Sequence, residues 1–138
     1  MKIVILDGYS LNPGDLDWSA FSDMGETTIH DRTPVDDQEE IIRRIGDSQI
    51  VLTNKTPITR AILDRCPAVR YVGLLSTGYN VVDVEAAREK GIPVCNVPGY
   101  STASVAQLTI GLLLEICHRA GHHNQAVHAG RWSESIDY

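Results

Sequence analysis

Two short polar segments of this 138-residue chain carry the residue types that hold a small anion. The first is Thr53-Asn54-Lys55-Thr56-Pro57, where a cation and a neutral amide stand side by side. The lysine can pair with a carboxylate, and Asn54 can add a hydrogen bond. The second is Ser76-Thr77-Gly78-Tyr79-Asn80. Gly78 has no Cβ, so a ligand can come close to the main chain and meet two backbone N–H groups. Each segment also has a plainer reading, Thr-Gly-Tyr-Asn as a tight turn and Lys55 as a solvated loop residue. Residue type alone leaves both readings open.

Other chemistries fail on spacing. None of the 11 glycines stands in G-x-G-x-x-G, so a dinucleotide pyrophosphate loop is missing. Asp7-Gly8-Tyr9-Ser10-Leu11-Asn12 after the first strand is not the hydroxyl-rich turn a flavin phosphate needs. A phospho-receiver needs an acceptor Asp after the third strand, where Asn54 stands, although Asp7 and Lys55 occupy suggestive places. Gly99-Tyr100-Ser101-Thr102-Ala103 lacks the closing glycine of a hydrolase elbow, and Ser101 reads instead as a helix cap. His118 and His122 share i, i+4 spacing, but no third ligand type lies nearby. His-Arg-Ala-Gly-His-His reads better as a solvated helix end stopped by glycine. Cys66, Cys95 and Cys117 form no C-x-x-C pair and are expected to be reduced, buried thiols.

The elements that must position the two polar segments follow from composition and periodicity. With 43% hydrophobic and 22% charged residues the chain matches one ordinary globular domain. A formal charge of −6 with scattered Lys and Arg excludes a broad nucleic-acid surface. The apolar run Ile110 to Cys117 is far short of the roughly 20 residues of a bilayer span. Met1 leads straight into Ile3-Val4-Ile5-Leu6 with no leader pattern, which sets the expectation of a cytoplasmic protein.

Short β-branched runs alternate with helical patterns, the mark of repeated strand-helix units on a parallel sheet. Strands are expected at 2–7, 27–30 (an edge), 48–52, 69–74 and 92–96. Helices are expected at 15–23, from Pro34 and Asp36 to Gly46, after a Thr59 cap, and at 83–90 before Gly91. Pro98-Gly99 breaks the chain after the fifth strand, with a linker at 96–99. A longer helix over 102–117 follows, with Val105, Leu108, Leu112 and Ile116 in one stripe; it reads as too apolar to be half exposed. Gly130-Arg131-Trp132 onward reads as unfinished, more like a chain cut than a folded terminus. The fold class is α/β, a flavodoxin-like doubly wound five-stranded parallel sheet, in which ligands collect at the carboxyl ends of strands near the switch point.

Order and spacing of several segments match a known family. Leu6-Asp7-Gly8-Tyr9, Asn12-Pro13-Gly14-Asp15, Asp31-Arg32-Thr33-Pro34, Val51 to Pro57, Ser76 to Asp83 and Ser104-Val105-Ala106-Gln107 together resemble the amino-terminal part of the D-isomer-specific 2-hydroxyacid dehydrogenases. The resemblance implies a substrate-binding domain over 1–98. It also implies an interdomain and dimerisation helix region over 99–138, leading into a Rossmann cofactor domain outside this chain. It implies that the N–H groups of Thr77 and Gly78 hold a substrate carboxylate and that Asn54 and Lys55 border the substrate pocket. Thr77 and Val105 are implied to approach the nicotinamide of NAD or NADP. Gln107 departs from the glutamate of many relatives, as in the glycerate branch. The family's catalytic Arg, Glu and His fall beyond this chain, so no catalytic residue is assigned, and His118, His122, His123 and His128 do not match that motif. In the family mechanism the histidine exchanges a proton with the substrate oxygen, the arginine polarises the carbonyl, and hydride passes between cofactor and carbon. The expected partners are a small 2-oxo or 2-hydroxy acid and a second copy through the 102–117 helix, with no nucleic acid and no membrane. The isolated chain is expected to bind no cofactor tightly and to be inactive. The competing expectation is a stand-alone flavodoxin-like ligand-binding or interaction module without catalysis.

Overall fold

Alternation of apolar side chains between two sheet faces organises the first 98 residues of the computed structural model, which describes residues 1–136. Strands β1 (Lys2–Ile5), β2 (Glu26–Ile29), β3 (Ile50–Thr53), β4 (Tyr71–Leu74) and β5 (Val94–Cys95) are all parallel, in the order β2-β1-β3-β4-β5. Val4, Leu6, Val51, Val72 and Leu74 point to one face. There they meet Ile41 and Ile45 of α3 (Gln38–Ile45), Ile62 and Leu63 of α4 (Arg60–Arg65), and Ala86 and Ala87 of α5 (Val84–Glu89). Ile3, Ile5 and Leu52 point to the other face, against Trp18 and, from α2 (Ser19–Met24), Phe21. The switch point lies between β1 and β3, from which the strand order runs outward in both directions.

Helix caps set the loops between these elements. Asp37, Thr59 and Asp83 each accept an N–H from the first turn of α3, α4 and α5, as their residue types favour. Gly46 ends α3 with φ of 53°, a backbone region that glycine enters without strain. The helix expected over 15–23 is shorter, α2 beginning only at Ser19. Asn12 is the reason: its Oδ1 accepts from the Gly14 and Leu16 N–H groups and its Nδ2 donates to the Leu16 carbonyl, holding 12–16 as a loop. A one-turn helix α1 (Gly8–Leu11), not expected from the sequence, precedes it.

Contacts divide the chain into two compact units, Met1–Pro98 and the segment from Gly99 onward. The second unit holds α6 (Thr102–His118), α7 (Ala120–His128) and α8 (Arg131–Glu134). Three expectations fail there. Ser101 occupies the N-cap position of α6, but its side chain makes no capping hydrogen bond. The histidine-rich run does end α6, at His118, but the stop is Arg119 in the left-handed conformation and not a glycine, and α7 restarts at once with its Gly121 N–H held by the Glu115 carboxylate. The apolar stripe of α6 is exposed, with Val105 at 59%, Leu108 at 64% and Ile116 at 77%, because nothing among the described residues covers it. Cys117 is exposed with it and so is Cys95; of the three thiols only Cys66 is buried, and that burial pushes its pKa up.

Candidate functional site

The carboxyl ends of β1 and β3 meet around one carboxylate. Asp7, only 5% exposed, follows β1 and reaches across the switch point into the Thr53–Thr56 loop. Its Oδ2 accepts from the N–H groups of Asn54 (2.9 Å), Lys55 (3.0 Å) and Thr56 (3.1 Å) and from the Thr53 hydroxyl (2.8 Å). Its Oδ1 accepts from the Thr56 hydroxyl at 2.6 Å. Burial pushes this carboxyl's pKa up. The Thr56 hydroxyl and the three backbone N–H groups outweigh that, so the net displacement is below the ordinary carboxylate value. The crevice where doubly wound proteins collect ligands is therefore filled by the chain's own anion.

Asn54 and Lys55 sit on the rim of that filled crevice. Asn54 Nδ2 donates to Ser10 Oγ at 3.1 Å, while Ser10 donates through both its N–H and its hydroxyl to the Asp7 carbonyl. Lys55 is exposed, and among the described residues its ammonium has no ion-pair or hydrogen-bond partner.

One strand over, the arrangement is opposite. β4 pairs with β3 in the register Thr53↔Leu74, so the Ser76–Asn80 loop leaves the sheet beside the Asn54–Lys55 loop. The two loops are braced further out, where Ile58 exchanges backbone hydrogen bonds with Val81 and Asp83. Among the described residues no acceptor takes the N–H groups of Ser76, Thr77, Gly78 or Tyr79. Their carbonyls and side chains do have partners: Thr77 Oγ1 donates to the Val97 carbonyl (3.1 Å), Ser76 Oγ to the Gly78 carbonyl (2.9 Å) and Asn96 Nδ2 to the Thr77 carbonyl (2.7 Å). In a trans peptide C=O and N–H point in opposite directions, so the Asn96 bond points the Gly78 N–H away from Asn96. Gly78 does not use the left-handed backbone region, and a Cβ added there would meet only Asn80 Oδ1, at 3.4 Å. Glycine is thus not required for the turn; it leaves the amides open to an approaching anion.

The expected residues are distributed accordingly. Asn54, Lys55, Thr77 and Gly78 lie at the ends of two adjacent strands, and Val105 is an exposed residue of α6 in the other unit. A cavity of about 450 Å³ adjoins the loop, lined by Leu74, Tyr79, Arg88, Val94 and Asn96 among others, but by none of the four. The amides form an exposed rim, not the lining of an enclosed pocket. Residue spacing placed Asp7 at the strand end but missed what it binds, and it missed Ser10 and Asn96; the three lie 47, 44 and 19 positions from the partners they fix. The available signal was Asp7 at a strand end opposite a loop whose donors needed an acceptor.

Known proteins resemble the chain as follows. The family model for the D-isomer specific 2-hydroxyacid dehydrogenase catalytic domain matches residues 3–134. A hydroxypyruvate reductase of Blautia hydrogenotrophica is 61% identical over all 138 residues, which correspond to 43% of that protein. A glycerate dehydrogenase of Methylorubrum extorquens is 30% identical over 100 residues, 72% of this chain and 32% of its own length. Among solved structures, an acyclic imino acid reductase in complex with NADPH and D-Arg superposes with a TM-score of 0.77 at 25% identity, over 94% of this chain and 41% of that one. The chain spans less than half the length of these relatives.

Proposed function

The chain belongs to the D-isomer specific 2-hydroxyacid dehydrogenase family, and from that premise we propose that it is the substrate-domain segment of an NAD(P)-dependent enzyme that reduces a small 2-oxo acid, hydroxypyruvate foremost, to the D-hydroxy acid. The observation that carries the reading is the run of N–H groups from Ser76 to Tyr79 that have no acceptor among the described residues. Thr77 and Gly78 hold the substrate carboxylate by two of these donors, and Lys55 and Asn54 on the neighbouring loop supply charge and a neutral amide. Held this way, the acid presents its 2-carbon at a fixed distance from the loop, and that orientation lowers the entropic part of the barrier.

Nicotinamide, when bound, supplies the hydride. The family resemblance supplies Thr77 and Val105 as residues near the nicotinamide end of that cofactor, and the sequence holds no glycine-rich pyrophosphate loop. The 138 residues alone therefore turn nothing over and bind no cofactor tightly, and the enzyme works in the cytoplasm. The test is whether the reading frame continues past Tyr138 into a strand followed by G-x-G-x-x-G, and whether that longer protein oxidises NADH or NADPH with hydroxypyruvate. A natural stop codon at that point sinks the enzyme reading.

Association follows from α6, whose Val105, Leu108, Leu112, Leu113 and Ile116 are all more than half exposed. A contiguous apolar face of this kind drives pairing with a second copy, so the full-length protein is a homodimer through 102–117. Sedimentation showing a single monomeric species at micromolar concentration would refute it.

A further inference from the structure

Asp7 has no place in the chemistry proposed above, and yet it receives more hydrogen bonds than any other side chain at the carboxyl end of the sheet. We infer that Asp7 is a positioning residue of the substrate site: its carboxylate fills the β1/β3 crevice and fixes the Asn54–Lys55 loop as one wall for the incoming acid. The inference rests on the reading of Lys55 as a substrate contact.

Three features support the assignment. First, three successive backbone N–H groups converge on the single oxygen Oδ2, which fixes the path of the main chain at Asn54, Lys55 and Thr56. Second, the same residue controls the Asn54 side chain by a separate route. The Asp7 carbonyl holds Ser10 by two bonds, and Ser10 Oγ accepts from Asn54 Nδ2. Third, the network stops short of Lys55, whose backbone is held while its ammonium has no partner among the described residues. A rigid stem under an uncommitted cation suits a group that must meet a carboxylate at a set distance. Filling the crevice has a second effect, because convergent N–H groups at a switch point would otherwise take phosphate or another free anion. With Asp7 in place, anion binding is directed to the β4 loop.

The experiment is a double-mutant cycle in the full-length dehydrogenase with hydroxypyruvate as the probe. Asp7→Asn keeps the shape and removes the charge, Thr56→Val removes one donor isosterically, and Lys55→Met removes the cation. Asp7→Asn is expected to raise KM for hydroxypyruvate about tenfold with kcat changed by less than about threefold, and Thr56→Val to raise it about threefold. KM for the nicotinamide cofactor stays unchanged in both. In the Lys55→Met background Asp7→Asn should add less than about twofold, since both act through one contact. If Lys55→Met raises KM but Asp7→Asn multiplies it equally in both backgrounds, or not at all, positioning is overturned while the substrate reading stands. If Lys55→Met itself leaves KM unchanged, the substrate contact fails and the inference with it. Should Asp7→Asn not fold, judged by circular dichroism, the same cycle with Thr56→Val decides.

Discussion

The exits of β3 and β4 are neighbours in one sheet, and both present successive backbone N–H groups at their carboxyl ends. At β3 the amides of Asn54, Lys55 and Thr56 are consumed by Asp7, from within the chain and 95% buried. At β4 the amides of Ser76 to Tyr79 have no acceptor among the described residues. The difference shows how one fold assigns structure and binding to equivalent places. Buried donors must be satisfied or they destabilise the fold, whereas donors left at a solvent-facing rim cost little until a ligand takes them. A carboxylate supplied by the chain makes the first exit a brace. In the function proposed above, the same chemical group supplied by a substrate would make the second a grip.

The largest effect is expected from emptying the filled exit. Asp7→Ala leaves three N–H groups and the Thr56 hydroxyl without their acceptor, the Thr53 hydroxyl keeping the Thr56 carbonyl, and should destabilise the protein by about 3 kcal/mol or more. A urea midpoint within error of the unaltered protein would show the two exits to be alike. The same carboxyl makes stability depend on pH in one direction. Its pKa is depressed in the folded state, so its contribution is fully present above about pH 4 and is lost as acid takes the pH down through the folded value. Asp7→Asn should therefore be less stable at neutral pH yet show a flatter decline below pH 4, seen in melts across that range.

The sheet, its five strands and the helices over its larger core were legible because their signals are local. The continuous apolar, β-branched run Ile3 to Leu6 and the helix starts at Thr59 and Asp83 are signals that act within a few residues. The Ser76–Asn80 loop was legible as a turn at the carboxyl end of a strand for the same reason. The contents of the β1/β3 crevice were not, since Asp7 and Asn54 are 47 residues apart and residue type marks Asp7 equally as a ligand-binding acid. Periodicity also misjudged α6, because an apolar stripe says that a face needs cover and not where the cover comes from. Cys95 escaped the expected burial because β5 is a two-residue strand at the sheet edge.

A smaller and more selective effect is expected from closing the open exit. Gly78→Val places two methyl groups where the anion must come, and the added Cβ meets only Asn80 Oδ1. The full-length enzyme should keep its melting temperature while KM for 2-oxo acids rises about thirtyfold, or about 2 kcal/mol. Unchanged kinetics would remove the loop from the site and leave the contrast between the exits a structural one.

The smallest effect sharpens how the open amides are aimed. Asn96 Nδ2 donates to the Thr77 carbonyl from an exposed position, so its loss leaves no buried group unsatisfied and should scarcely alter stability. What it removes is the restraint on the Thr77–Gly78 peptide plane, whose rotation would carry the Gly78 N–H away from the substrate. Asn96→Leu should raise KM for hydroxypyruvate about three- to tenfold, the equivalent of one modest hydrogen bond, and leave kcat near its original value. The parallel substitution Thr77→Val, which removes the bond to the Val97 carbonyl, should act in the same direction. If both variants bind substrate normally, the Ser76–Tyr79 loop holds its amides in place by its own backbone preference. The pairing with β5 would then be a brace of the same kind as Asp7.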